Sequence, residues 1–194
     1  MSVEEKEKPS PSDLSTFNPQ PSTSRALPAA LARETTRLAR ETNLYLGTSS
    51  WKYEGWLGQI YDAQRYLTRG KLSTRRFETE CLEEYADNFP TVCVDAGYYR
   101  FPSDKFLAGL CAQVPDHFRL SYKVTDEITV KKFPQLDRFG QRAGSGNENF
   151  LNAKLFIDAF LGPLSPHRGK TGVLIFEFSA FYPTHFKRLR DFIA

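Results

Sequence analysis

From residue 44 onward, short apolar runs alternate with amphipathic stretches. The runs LYLGT (44–48), TVCVDA (91–96), FRLSYKV (118–124) and TGVLIFEF (171–178) are dense in β-branched, aromatic and leucine residues and sit close to Asn, Pro, Asp or Gly, which predicts strands. Residues 77–89, 103–114, 147–164 and 184–194 repeat apolar positions at helical spacing and predict helices. The second of these has Ser103 as its cap and stops before Pro115. Apolar strands separated by amphipathic helices are the signature of βα units around a parallel sheet, because both faces of such a sheet are covered. Upstream, ALPAALARETTRLARET sets Leu27, Leu31 and Leu38 on one face and Pro28 in its first turn, predicting a leading helix over 27–42.

Four βα units fit between residue 43 and the end of the chain. A closed (β/α)8 barrel needs about 250 residues, and 43–194 supplies fewer. The last residues, ArgAspPheIleAla, fall inside an apolar helical pattern without a capping glycine. The expectation is therefore an α/β chain forming about the first four units of a TIM-type barrel, truncated, over 43–194. Residues 1–26 are rich in Pro, Ser, Glu and Lys with Phe17 as their one aromatic, so they bury too little apolar surface to offset the entropy of ordering and are expected to be a disordered tail.

Composition narrows the classes. Hydrophobic residues make up 40% and aromatics 14% of the 194, a globular profile. A formal charge of +3 is too small to argue for nucleic acid or a membrane surface. No run reaches the roughly 18 apolar residues of a membrane span, and MSVEEKEKPSPS lacks the apolar centre of a signal peptide. Cys81, Cys93 and Cys111 are odd in number and form no CxxC pair, which points to reduced thiols in a cytoplasmic protein.

In parallel α/β folds ligands meet the carboxyl ends of the strands. The first predicted strand ends in Thr48, Ser49, Ser50 and Trp51; the second at Asp95, with Tyr98, Tyr99 and Arg100 beyond; the third at Lys123; the fourth meets Glu177 after a uniformly apolar run. Three successive strands thus deliver Asp95, Lys123 and Glu177 to one rim. A lysine between two carboxylates offsets their desolvation and shifts proton affinities, as general acid–base chemistry requires. The same trio also fits a structural ion cluster.

The stretch from Thr48 to Phe77 exceeds the usual βα connection of about 2–6 residues. It carries Trp51, Tyr53, Trp56, Tyr61 and Tyr66 together with Arg65, Arg69, Lys71, Arg75 and Arg76. Rings interleaved with cations could stack on bases and pair with phosphates, or the rings could simply pack the loop down. Sharper motifs fail: Gly70-Lys71 lacks the glycine and hydroxyl of a phosphate loop, no HExxH or GxSxG occurs, and FGQRAGSGNEN (139–149) has glycines in the wrong spacing and reads as a mobile loop. Asp95 and Glu177 are a thin ligand set for a divalent metal, so no metal residues are assigned and the cofactor stays unknown.

GTSSW after the first strand, VCVDAGYYRFPS after the second, FRLSYKVTDEIT at the third and GVLIFEFS at the fourth, in that order over about 44–180, together resemble the YecE-like family, also called domain of unknown function 72. The resemblance implies a TIM-type barrel longer than this chain and no established activity. The family's usual GTSGW has Ser50 for its second glycine here, and its strand-two E-x-N-S-T-F-Y has Cys93 for the Glu and Asp95 for the Asn. Lys123 matches the family's strand-three lysine; Glu177 stands where glutamine is common and Ser179 where proline is common. Two amides replaced by carboxylates make this rim more acidic than the family pattern.

The function expected is an enzyme of unassigned reaction, of hydrolase or lyase type, binding a small polar, phosphorylated or sugar-like ligand at the strand ends. Asp95 or Glu177 would move the proton and Lys123 would stabilise charge or, as a lesser option, form a Schiff base. Thr48, Ser49, Trp51, Tyr99 and Arg100 would frame the ligand. The alternative is a nucleic-acid-associated protein using loop 51–76.

Overall fold

The computed structural model describes residues 26–178. The helix expected over 184–194 and all but the last residue of the expected tail lie outside them. Helix α1 (Ala26–Thr42) ends at Asn43, whose φ of 55° is the left-handed conformation that terminates helices. The Leu44 N–H turns back to the Leu38 carbonyl at 3.4 Å. Leu44 therefore closes the helix instead of opening a strand, and strand pairing starts later than the apolar pattern suggests, at β1 (Gly47–Thr48). Thr35, buried mid-helix, donates to the Asn88 carbonyl at 2.8 Å and ties α1 to the rest of the chain.

The long first connection holds two 3-10 turns (Glu54–Trp56 and Ala63–Tyr66) and a small hairpin of β2 (Leu67–Thr68) and β3 (Lys71–Leu72). Leu67 pairs with Leu72 and Thr68 with Lys71, leaving a two-residue turn of Arg69 and Gly70 with φ of 54° and 75°. Two positive φ values in succession match the strand twist of a hairpin. The Gly70-Lys71 dipeptide thus serves a turn.

Helix α2 (Thr74–Ala86) follows, its first turn capped by Ser73, which accepts from the Arg76 N–H at 3.3 Å. Then come β4 (Thr91–Val94), the single turn α3 (Ala96–Tyr99), α4 (Asp104–Cys111) and β5 (Arg119–Lys123). The turn α5 (Asp126–Thr129) opens a second excursion that ends at α6 (Ala153–Leu155). A π-helical segment, Phe156–Leu161, leads into α7 (Gly162–Leu164), and β6 (Thr171–Ile175) closes the described sheet. Its order is β1-β4-β5-β6, and every pairing is parallel. The α/β fold with a parallel sheet is as the sequence predicts.

Alternation along the strands decides where the core sits. Val92, Val94, Leu120 and Tyr122 are buried against Phe77, Leu82 and Tyr85 of α2, Leu107 and Leu110 of α4, and Phe160 and Leu164. Each such fully buried side chain contributes roughly 1.5–3 kcal/mol of transfer free energy. The other face carries Cys93, Ser121 and Lys123, and on it Val173 of β6 is 64% exposed.

The helix expected over 147–164 begins only at Ala153, because the residues before it belong to the second excursion. That excursion has a small core of its own in Val130, Phe133 and Phe139. The glycine-rich 139–149 stretch, expected to be mobile, is pinned instead. Phe133 donates to the Ser145 carbonyl at 3.0 Å, Gly144 to Phe133 at 2.9 Å and Asn147 to Lys131 at 3.0 Å. The Asn147 side chain adds bonds to the carbonyls of Glu127 and Val130 at 2.8 and 2.7 Å.

Candidate functional site

With Val94 turned toward the helices and Tyr122 beside it in the ladder, Asp95 and Lys123 project to the opposite face. Lys123 pairs in register with Ile175, and Glu177 lies two residues further along, hence on the same side. The side chains meet accordingly: Lys123 Nζ is 3.3 Å from Asp95 Oδ1 and 3.0 Å from Glu177 Oε2. The three residues expected at the strand ends form one ion cluster. Their side chains are 28%, 41% and 54% exposed for Lys123, Asp95 and Glu177, so solvent screening keeps each pair near the surface value of about 0–1 kcal/mol.

The hydrogen bond to Glu177 foremost, and then the contact with Asp95, raises the proton affinity of Lys123 above that of a free lysine, outweighing burial. A Schiff-base lysine needs the opposite shift. Lys123 is thus a fixed positive charge at neutral pH. Cys93, which stands where the family pattern has Glu, lies behind the trio and donates from Sγ to Asp95 Oδ1 at 3.8 Å. Burial, followed by the negative charge of Asp95, pushes its thiol up and keeps it protonated.

Turn α3 crosses directly over β5. A Cβ on Gly97 would lie 2.8 Å from the Lys123 carbonyl oxygen, so only glycine permits this approach. The crossing sets Tyr98 and Tyr99 on the rim, edge to face with ring centroids 5.4 Å apart and Tyr99 61% exposed. Arg138, from the second excursion, lays its guanidinium over both rings at 5.7 and 5.6 Å and over Phe139 at 4.6 Å. Sequence reasoning passed over Arg138, because nothing in the spacing joins it to Tyr98 and Tyr99. Arg100 lines a cleft of about 180 Å³ with Ala96, Gly97, Phe101, Pro102, Ser103 and Phe106, and none of Asp95, Lys123 and Glu177 lines it.

The first loop occupies the chain differently from its polar appearance. Gly47 lets β1 approach β4 so closely that any Cβ would run into the Thr91 carbonyl. The Tyr85 hydroxyl accepts from the Thr48 N–H at 2.9 Å, meets the Thr48 hydroxyl at 2.9 Å and donates to the Thr91 carbonyl at 3.0 Å. Ser49 is exposed, 3.5 Å from the Tyr53 hydroxyl. Trp51, 6% exposed, belongs to the core, and its carbonyl accepts from the buried Tyr61 hydroxyl. Tyr61 and Tyr66 each pack edge-on to Phe77 at 5.1 Å. Among the loop's cations, Arg65 pairs with Glu83 and Arg76 with Glu80 at 3.2 Å. Of the two readings of the loop, packing accounts for Trp51, Tyr61 and Tyr66, and α2 carboxylates neutralise two of the five cations.

Among the described residues no three His, Cys, Asp or Glu side chains are gathered to hold a metal ion. No helix among them is long and apolar enough to cross a membrane.

The sequence pattern of the family described as Protein of unknown function DUF72 matches residues 45–194. The chain belongs to this family. Two crystal structures of a DUF72 family protein from Enterococcus faecalis V583 are similar to it. The one at 3.10 Å resolution is 28% identical, with 60% of this chain and 37% of that chain covered and a TM-score of 0.38. The one at 2.52 Å is 26% identical, with 52% and 36% covered and a TM-score of 0.39. The chain therefore spans well under half the length of these relatives. No curated protein matches it at a significant level.

Proposed function

We propose that this DUF72 chain contributes the strand-end half of a ligand site in a TIM-type barrel, and that the site performs proton-transfer chemistry on a small polar ligand of sugar or phosphorylated type. One observation carries the reading: Lys123 stands between two carboxylates from flanking strands, at 3.3 and 3.0 Å, on a rim where α/β folds bind ligands. The four parallel strands are the arc such a barrel needs, with helices on one face and Cys93, Ser121 and Lys123 on the other. Lys123, held protonated, supplies a fixed cation for developing negative charge. Asp95 or Glu177 is the proton carrier, since either can exchange with solvent. The exposed ring of Tyr99 offers a flat surface to a sugar. Nucleic-acid binding through loop 51–76 is the weaker reading, because its buried rings and paired arginines are already engaged.

The test is ligand-observed NMR of the chain against a panel of sugars and sugar phosphates, followed by Lys123→Ala. Loss of a panel binder with a thermal midpoint within a few degrees of the parent supports the site, since partly exposed pairs contribute only about 0–1 kcal/mol each. An unchanged binder, or a large drop in midpoint with no binder in the parent chain, makes the trio a structural ion cluster and overturns the reading.

A further inference from the structure

Beside the Lys123 cluster the rim holds a second cationic centre that the proposed chemistry does not use. Arg138 rests on Tyr98, Tyr99 and Phe139, with the guanidinium carbon 4.6–5.7 Å from the three ring centroids. Stacking of this kind fixes the plane of a guanidinium while leaving its N–H edge free for a planar or tetrahedral oxyanion. The contrast with Arg142, four residues on, is informative. Arg142 also stacks, over Phe133 at 4.6 Å, but its edge is taken by Glu127 at 2.5 Å, and Glu127 is further held by Asn149 at 2.7 Å. No carboxylate of the described residues lies within 4.0 Å of the Arg138 nitrogens. Arg138 is thus posed like Arg142 but with no carboxylate on its edge, one part of which meets the Tyr98 side chain.

We propose that Arg138, on its platform of Tyr98, Tyr99 and Phe139, is the anchor for an oxyanionic group, phosphate or carboxylate, of the ligand whose body meets Asp95, Lys123 and Glu177. The inference rests on the site reading above and names the part of the ligand that reading left open. Turn α3 supplies the link: Gly97 packs against the Lys123 carbonyl, and the next two residues, Tyr98 and Tyr99, carry the rings on which Arg138 lies. The Tyr98 side chain hydrogen-bonds Arg138 and lies within electrostatic reach of Asp126 and Glu177. Two carboxylates therefore face this region and oppose an anion. Asp126 is 5% exposed, and its burial raises the carboxyl toward the neutral form, with Arg142 and Arg138 acting against that. An oxyanion bonded to Arg138 sits at about 3 Å, nearer than either carboxylate, and Coulomb attraction falls with distance and with solvent screening. Contact with the guanidinium therefore wins over the more distant repulsion.

The experiment uses inorganic phosphate as probe, titrated into the 194-residue chain and followed by 31P line broadening and amide shifts. Parent chain, Arg138→Gln, Arg138→Lys and Lys123→Gln are compared, with thermal midpoints recorded for each. The expected result is saturable binding with a Kd of the order of millimolar, as a single charge-assisted contact gives, weakened about tenfold or more in Arg138→Gln and much less in Lys123→Gln. Arg138→Lys keeps the charge without the fork and should fall between, and it decides the matter if Arg138→Gln fails to fold. Undiminished binding by Arg138→Gln, or no saturable binding by the parent, overturns the anchor. Loss in Lys123→Gln alone would also sink it, while leaving the proposed site standing with the anion on Lys123.

Discussion

Gly97 and Lys123 touch backbone to backbone: the α-carbon of one lies against the carbonyl oxygen of the other, with a hypothetical Cβ only 2.8 Å away. This contact fixes turn α3 over the end of β5 and so sets the height of Tyr98 and Tyr99 above the charged trio. Gly97→Ala cannot be absorbed by a flexible side chain, since the obstacle is backbone. Overpacking of this kind costs about 1–3 kcal/mol. Urea denaturation should report a loss in that range, with the rim tyrosines shifted in amide and ring NMR spectra. An unchanged midpoint would mean that α3 has room to move.

Tyr85→Phe tests how the first loop is held. The phenol oxygen serves the Thr48 N–H, the Thr48 hydroxyl and the Thr91 carbonyl. Removing it leaves two partly buried backbone groups without this partner, for about 1–3 kcal/mol at most. The expected outcome is a lowered urea midpoint together with faster amide exchange at Thr48, and wild-type protection at Thr48 would contradict the role.

Alkaline pH should unfold the chain through its buried acids. Burial raises the Cys81 thiol from an ordinary 9.0 to about 12, and raises Tyr61, Tyr66 and Tyr122 from 10.0. A group that holds its proton more tightly when folded contributes stability that is complete below its unfolded pKa and is lost as pH climbs toward the folded one. Stability should thus be flat up to about pH 9 and fall from there to about pH 12. Urea midpoints at pH 8, 10 and 11 check this, and Cys81→Ala should make the decline shallower.

The charged trio was legible because strand parity and register are written in the apolar pattern. Val92 and Val94 inward put Asp95 outward, and the same reasoning holds for Tyr122 and Lys123. The β1 boundary was not legible, since Asn43 and Leu44 form a helix end whose geometry overrides the local strand propensity of LeuTyrLeu. The loop aromatics read as well for stacking as for packing, and only the position of Phe77 beneath Tyr61 and Tyr66 separates the two. Arg138 was invisible because about forty residues separate it from Tyr98 and Tyr99, and such contacts leave no periodic trace.

The meeting of Asp95 and Lys123 depends on β4 and β5 keeping their count of residues, the two strands pairing without a break from Thr91 to Val94. Inserting or deleting one residue within β5 would turn Lys123 under the helices and bring Tyr122 or Val124 to the rim, whereas a change of two would preserve its side. The least tolerant feature of this chain is therefore a number, the odd or even spacing along β4 and β5, since β6 already takes up one extra residue between its partners of Leu120 and Tyr122. Length variants within those strands should be far more damaging than most substitutions at the residues themselves.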